Sequence, residues 1–443
     1  MAIQLNDHFT FKKLFRAVIP SISMMMFISI YSVVDGLFVS NFVGTTAFAS
    51  LNLIYSVIAI IGAIGFMIGA GGSALVAKTL GEGKKEEANQ YFSMFIFLTL
   101  ILGIIVSTII FIFLPDIAVL LGAEDDMVGY CVTYGRICLG FQTCFIVQNT
   151  FQSFFVTAEK PQLGLYLSIV SGILNMILDA LFIVAFDMGI AGAALATGLS
   201  QFVGAVVPFI YFKRNKNLII QLVKPTFKIR PILKGCFNGI SEFSTNISVA
   251  IVGMIYNFKL MSLAGENGVA SYGAILYIQF IFLAIFFGYS MGVAPIVGFN
   301  YGAKNKNELK NILKKSIVVV LTTSVILVVL SEVLAEVLAS IFVGYDQELL
   351  NMTTRGFRIF ALSFLFAGFN IFISSFFTAL NNGIVSLVLS LTRTFVFQVI
   401  AVLVLSSLLK IDGIWLSIIC SELLAIFMSI AFVVIMRRKY EYY

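Results

Sequence analysis

The stretch Phe154-Phe155-Val156-Thr157-Ala158-Glu159-Lys160-Pro161 returns as Phe376-Phe377-Thr378-Ala379-Leu380-Asn381-Asn382-Gly383, at an offset of 221 or 222 in a chain of 443 residues. The same offset carries Gly192 onto Gly413 and Ser200-Gln201 onto Ser421-Glu422. Gly65-x-x-x-Gly69 recurs two residues out of step as Gly288-x-x-x-Gly292. Self-similarity at half the chain length marks a duplicated unit. Whatever the first half forms, the second forms too.

The solvent follows from composition. Hydrophobic residues make up 60% of the chain and charged residues 11%, and mean hydropathy is +1.03, far from the balance of water-soluble domains. Apolar runs stand at 15–40, 51–77, 91–114, 130–155, 163–186 and 190–212, and again at 235–257, 269–291, 313–338, 357–379, 384–409 and 413–436. Each reaches the ~20 residues that a membrane helix needs. The expected fold is all-α and integral to the membrane, with twelve transmembrane helices in two six-helix repeats.

Basic residues test this count, because cytoplasmic loops are enriched in them. With the termini and the loops after even-numbered spans on the cytoplasmic side, 22 of the 28 Lys and Arg residues fall there. The opposite loops carry acid, such as Glu124-Asp125-Asp126 and Asp346 with Glu348. The net charge of +6 is then an orientation signal and not a nucleic-acid footprint. Six spans per half is an even number, so both halves enter the membrane the same way and the repeats are parallel. Parallel repeats place a cavity between two bundles that rock against each other. Residues 1–212 form the N-terminal bundle, 213–234, with Pro225 and Pro231, the cytoplasmic linker, and 235–443 the C-terminal bundle.

Several chemistries are excluded. Met1 to Thr10 lacks the apolar core of a cleavable signal. Cys131, Cys138, Cys144, Cys236 and Cys420 are scattered and odd in number, which argues against a disulfide framework. The one histidine, His8, reads as a solvated tail residue, and no metal-ligand spacing appears. No G-x-x-x-x-G-K-[ST] run is present, so the chain does not hydrolyse ATP itself and draws on an ion gradient or a partner. An embedded enzyme would need a nucleophile, a metal or clustered acids near a surface, and none is visible. A channel would need no asymmetric ion site within a duplicated scaffold.

An ionised side chain deep in a membrane helix is costly, so each marks function by default. At about 1.5 Å per residue, Asp35 lies nine residues before Gly44 at the outer end of span 1, and Asp179 eight before Asp187 at the outer end of span 5. Asn175 is one turn deeper on the face of Asp179, and Thr197 enters the same layer from span 6. Two adjacent carboxyls do not both ionise cheaply, so the pair holds one proton. Alternatively, two carboxylates with an amide carbonyl and a hydroxyl form an oxygen shell for a hard cation. The residues leave H⁺ and Na⁺ equally open.

The second half lacks this cluster: the offset sets Tyr256 opposite Asp35 and Ile400 opposite Asp179. It has its own charges. Arg393, nine residues in from one end of span 11, and Glu422, nine residues in from Gly413, are placed to meet near mid-membrane as a structural pair or a substrate contact. Glu242, with Asn246 one turn on, is placed at the cytoplasmic mouth. Tyr31, Gln148, Tyr256 and Asn257 complete the candidate cavity residues. Arg136, Arg355 and Arg358, near outer helix ends, read as snorkelling side chains. Most of the 45 Phe and 15 Met read as lipid-facing or packing residues, although thioethers and aromatic faces also suit a cavity that accepts cations.

These residues resemble a known family, the multidrug and toxic compound extrusion (MATE) transporters. The resemblance runs from Phe15 to Arg438. It is carried by Pro20 with Val34-Asp35-Gly36, by Ala158-Glu159-Lys160-Pro161, by Asn175-x-x-x-Asp179-Ala180-Leu181-Phe182-Ile183, by Gly192-Ala193-Ala194-x-Ala196-Thr197, and by Pro295-Ile296-Val297-Gly298-Phe299-Asn300-Tyr301-Gly302-Ala303. It implies export of drug-like, often cationic, compounds in exchange for H⁺ or Na⁺ across a bacterial cytoplasmic membrane, by a monomer without a cofactor. It places the family's cation site on Asp35, Asn175, Asp179 and Thr197, and a bend of span 1 at Pro20. The absence of a carboxylate between Phe357 and Leu380, and Ala294 where many relatives have Gln, make the chain similar to the DinF-type or MepA-type branches. The alternatives are a flippase for a lipid or lipid-linked saccharide, which Arg393 favours and the two aspartates oppose, and a major facilitator antiporter, whose Asp-Arg-x-Gly loop is replaced here by Thr79-Leu80-Gly81-Glu82-Gly83-Lys84-Lys85.

Overall fold

Side chains that are apolar around the whole circumference suit a helix surrounded by lipid and other helices, and the regular elements among the described residues are all helices. The computed structural model describes residues 4–42, 45–124 and 126–442, with all of their side chains except those of 36–42, 45–49, 52 and 126. The first half contains α1 (Phe11–Phe42), α2 (Thr45–Gly81), α3 (Lys85–Leu120), α4 (Asp126–Thr157), α5 (Pro161–Asp179) and α6 (Gly189–Arg214). In the second half, the stretch Ile229–Gly302 breaks at Gly265 into α7 (229–264) and α8 (266–302). There the chain doubles back, stacking Tyr256 on Tyr272 with ring centroids 5.1 Å apart. Next come α9 (Lys306–Val343) and α10, which joins Gln347–Ala361 to Phe364–Ala379 with a 50° bend. The last two, α11 (383–409) and α12 (411–440), are separated at Lys410.

Among the described residues, eight helical stretches are by themselves long and apolar enough to cross a membrane. Dividing two of them at Gly265 and Lys410, joining the bent α10 pair and adding α4, with its buried Gln142, Gln148, Asn149 and Gln152, makes up the twelve spans expected, six per half. One boundary moves. Helix α7 starts at Ile229, inside the linker expected at 213–234, because Pro231 lies in its first turn, where a missing N–H breaks no helical bond.

The duplication shows in the turns. Backbone in the left-handed region recurs at equivalent positions, Gly83 with Lys304, Glu159 with Asn381 and Asp187 with Lys410, at φ between 51 and 78°. Five of these six are not glycine, a conformation that costs an L-residue roughly 1–2 kcal/mol. Both fifth helices also widen into a π-helical turn, over Ala180–Ala185 in α5 and Thr392–Val396 in α11.

The two halves meet backbone to backbone on the face that carries the termini. A methyl group added at Gly71 of α2 would lie 2.0 Å from the Gly235 carbonyl oxygen, and one at Gly239 of α7 1.9 Å from that of Met67. Further along, Gly81 meets Phe299 and Gly302 meets Lys78, each at 2.0 Å by the same measure. Asn381 Nδ2 donates to the Ala74 carbonyl at 3.2 Å across the same seam.

Helix α1 divides its packing between the halves. Leu5, Phe9, Leu14, Ala17 and Val18 are buried in the core of the second half, beside residues of α8, α9 and α10, although sequence order assigned 1–212 to the first. Beyond Pro20, α1 stays against α8, through Ile22 at Gly288 and Ser29 Oγ donating to the Phe280 carbonyl at 3.5 Å, and adds α5, where Met24 fits against Gly164 and Phe27 and Tyr31 against Gly172. Pro20, itself buried, stands one turn before the contact with α5 begins.

Candidate functional site

Asp35 of α1 and Asp179, the last residue of α5 before its π-helical turn, lie close enough to share a hydrogen bond between their carboxyls, which requires a proton on one of them. Asp179 is 0% exposed. Among the described residues, neither Asp179 oxygen, nor Oδ1 of Asp35, nor Oδ1 of Asn175 receives a hydrogen bond from any other protein donor. Asn175 Nδ2 reaches Thr197 Oγ1 of α6 at 3.5 Å, so its carbonyl oxygen stays free. Among the described residues, no lysine, arginine or histidine acts on either carboxyl. Buried charge without a partner is expensive, so the pair demands a proton or a cation. The four residues offer oxygen atoms only, the donor set of a hard ion. Among the described residues no cluster of three or more His, Cys, Asp or Glu side chains suits a transition metal.

Tyrosines complete the surroundings. Tyr31 and Tyr55, and also Tyr134 and Tyr277, lie within electrostatic range of Asp35. Tyr277 belongs to α8, so the second half contributes to the neighbourhood of a site built by the first. Tyr55 is 51% exposed and also senses Tyr277, which places it at the boundary between the halves. Of this group the sequence had singled out only Tyr31. A tyrosine in an apolar span carries no signal of its own, and which helix face it occupies depends on packing.

The other candidates distribute differently. Gln148 is 8% exposed and packs against Gly204, inside the first bundle. Tyr256, 1% exposed, gives its hydroxyl to a 2.6 Å bond with Ser417 and stacks on Tyr272, in the core of the second half. The repeat offset gives height in the membrane but not facing. Asn257 is exposed beside the exposed Phe258. Glu242 and Asn246 follow Gly235 and Gly239 at helical spacing on the side of α7 that meets α2, just past the seam, with Asn246 Nδ2 bonded to the Glu242 carbonyl. Glu242 is half-buried and within electrostatic range of Arg393.

Arg393 and Glu422 do meet. Arg393 Nε stands 3.6 Å from Glu422 Oε1, both side chains nearly buried. Glu422 Oε2 accepts from Asn370 Nδ2 at 2.8 Å, and Ser429 in turn donates to Asn370 Oδ1 at 2.9 Å. Removing one member of such a pair strands the other charge, at a cost of about 3–5 kcal/mol. Arg393→Met is therefore expected to lower the thermal unfolding temperature in detergent, and Arg393→Met with Glu422→Gln to recover most of the loss. Equal melting of the single and double variants would contradict this.

At the rim, Arg355 pairs with Asp412 at 2.6 Å, Arg358 lies 3.9 Å from Glu332, and Arg136 sits over the Phe111 ring. His8, expected to be a free tail residue, keeps 69% of its side chain exposed yet pairs through Nδ1 with Glu308 Oε2 at 2.7 Å. All five cysteines are free thiols.

The MatE family model matches this chain twice, over residues 20–181 and 243–404. Multidrug export protein MepA of Staphylococcus saprophyticus subsp. saprophyticus is 27% identical over 374 residues, 81% of this chain and 82% of the relative. MepA of Staphylococcus haemolyticus is 25% identical over 439 residues, 98% of this chain and 96% of the relative. Among solved structures, an outward-facing conformation of a multidrug resistance MATE family transporter of the MOP superfamily superposes with a TM-score of 0.93, at 22% identity, over 99% of this chain and 98% of that one. The chain thus belongs to the MATE family of membrane transporters, not to the enzymes, and its internal duplication is that family's unit matched twice.

Proposed function

We propose that the protein is a secondary active exporter of drug-like, often cationic, organic compounds in exchange for H⁺ or Na⁺, with Asp35, Asp179, Asn175 and Thr197 as the coupling-ion site. The observation that carries this reading is the carboxyl pair, Asp179 buried and Asp35 half-buried, with no basic partner among the described residues. Such a pair has high affinity for a small cation and gives it up only when its surroundings change. The relatives named as multidrug export proteins support the substrate class. The Arg393–Glu422 pair is internally compensated, so it presents no free positive charge to a pyrophosphate head group, which speaks against the flippase alternative.

In this reading the termini and the sealed face are cytoplasmic, in accord with the basic loops, and a single chain is sufficient because the cavity lies between its own halves. An ion arriving from outside binds between α1 and α5 and alters how α1 lies on α5. Pro20 passes that change to the inner part of α1, which packs on the second half, and the halves rock. Glu242, past the seam on the second half, is the carboxylate placed to attract a substrate ammonium group.

Ethidium movement in proteoliposomes, compared under imposed H⁺ and Na⁺ gradients, tests the function. Movement driven by one gradient and not the other is expected and identifies the ion. Absence of movement under either gradient, with folded protein, would overturn drug antiport.

A further inference from the structure

Two segments on the sealed face cross between the halves. Before α1, the Phe9 N–H donates to Glu308 Oε1 at 2.9 Å, and the Phe9 carbonyl accepts from Asn311 Nδ2 at 3.0 Å and Lys315 Nζ at 2.6 Å. Before α7, the Gln221 N–H donates to Asn89 Oδ1 at 2.9 Å and the Val223 N–H to Ser93 Oγ at 2.8 Å. Asn89 and Ser93 belong to α3, and Glu308, Asn311 and Lys315 to α9, the third helix of each half. The third helix of each half thus grips the segment that leads into the first helix of the other. Each segment also buries apolar side chains there, Leu5 and Phe9 in the core of the second half, Leu218 and Ile220 in that of the first.

The leading segment is held through Glu308, which is 6% exposed and binds both the Phe9 amide and His8. At its far end the Leu5 N–H donates to Glu159 Oε1 at 2.7 Å, in the turn after α4 of the first half. Glu159 is partly buried, which raises its carboxyl above the usual range, against the lowering effect of the Leu5 bond. In the second half the equivalent position is Asn381, which reaches across to α2 instead.

We propose that residues 4–10 are a latch for the sealed face. Fixed to α9 by Glu308, Asn311 and Lys315, the segment moves with the second half, and the Leu5–Glu159 bond fastens it to the first. Opening of this face breaks that bond before the glycine seam separates. The latch runs straight into α1, so its engagement and ion occupancy of Asp35 bear on one helix. This inference does not depend on which ion or substrate is carried.

The native cysteines report on it. Cys236 adjoins Gly235 in the seam and packs on the core of the first half, while Cys138 lies within that half at 5% exposure. Glu159→Asn keeps a residue that tolerates the left-handed turn, as Asn381 does, but is too short to reach Leu5. In the full-length protein in proteoliposomes, maleimide labelling read peptide by peptide is expected to speed up about tenfold at Cys236 in Glu159→Asn and in Glu308→Gln, with Cys138 unchanged. A tenfold change corresponds to about 1.4 kcal/mol, close to the value of a hydrogen bond to a charged group. An unchanged Cys236 rate in both variants would overturn the latch. So would parallel acceleration at Cys138, which would mean loss of fold.

Discussion

Asp179→Asn is expected to abolish gradient-driven transport, by a factor of 100 or more, while leaving the protein at least as resistant to heat. The amide has the volume of the carboxyl, so nothing around it must repack. It can donate to Asp35 as a shared proton would, which freezes the site in an occupied arrangement and removes the need for an ion. A buried carboxylate without a basic partner is a stability cost retained for function, and removing such costs commonly adds about 0.5–2 kcal/mol. Transport collapse with a raised unfolding temperature therefore separates a coupling residue from a packing one, which would lose both. Asp35→Asn is expected to behave alike, because the two carboxyls act as one titrating unit. Undiminished, still gradient-driven transport in either variant would remove the pair from the mechanism.

Gly239→Leu is expected to hold the sealed face open. A single added carbon at this position already falls 1.9 Å from the Met67 carbonyl oxygen, and that atom belongs to helix backbone that cannot rotate away. Overfilling a packed contact costs about 1–3 kcal/mol, which as a bias between two arrangements is roughly 5- to 150-fold. The cost falls only on the arrangement in which α2 and α7 touch, so the population moves to the other. Spin labels at Lys84 and Lys304, exposed on either side of the seam, are expected to show a longer distance in Gly239→Leu than in the parent protein, with export lost. Gly239→Ala is expected to lie between. An unchanged distance with retained export would mean that the glycines are incidental to closure.

Much of this was legible in the residues, for identifiable reasons. A carboxylate inside an apolar run has nowhere to hide, and a fixed rise per residue converts position into depth. Asp35 and Asp179 could therefore be set at one height without knowing a single contact. Arg393 and Glu422 yielded to the same counting. The breaks at Gly265 and Lys410 were legible as well, because Gly265-Glu266-Asn267-Gly268 and Lys410-Ile411-Asp412-Gly413 interrupt the apolar runs. Facing was harder. Tyr256 shares its repeat position with Asp35 yet is buried against Ser417 and Tyr272, because duplication preserves height while divergence resets the neighbours. The π-helical turn after Asp179 leaves no mark on apolar periodicity. Nor does chain order disclose that Leu14 and Val18, near the start of the first half, are core residues of the second. The choice of packing partner is a tertiary decision.

The contact between Phe9 and Glu308 spans 299 positions of the chain. At ribosomal speeds of about 5–20 residues per second, roughly 15 to 60 s of synthesis separate the two partners. During that interval the leading segment has no binding site, and the first six helices stand in the bilayer without the seam that later covers them. A truncated product cannot acquire the closed shape, however well its own bundle forms. Completion of the polypeptide is thus written into the geometry of residues 4–10, which dock only when the second copy has been made.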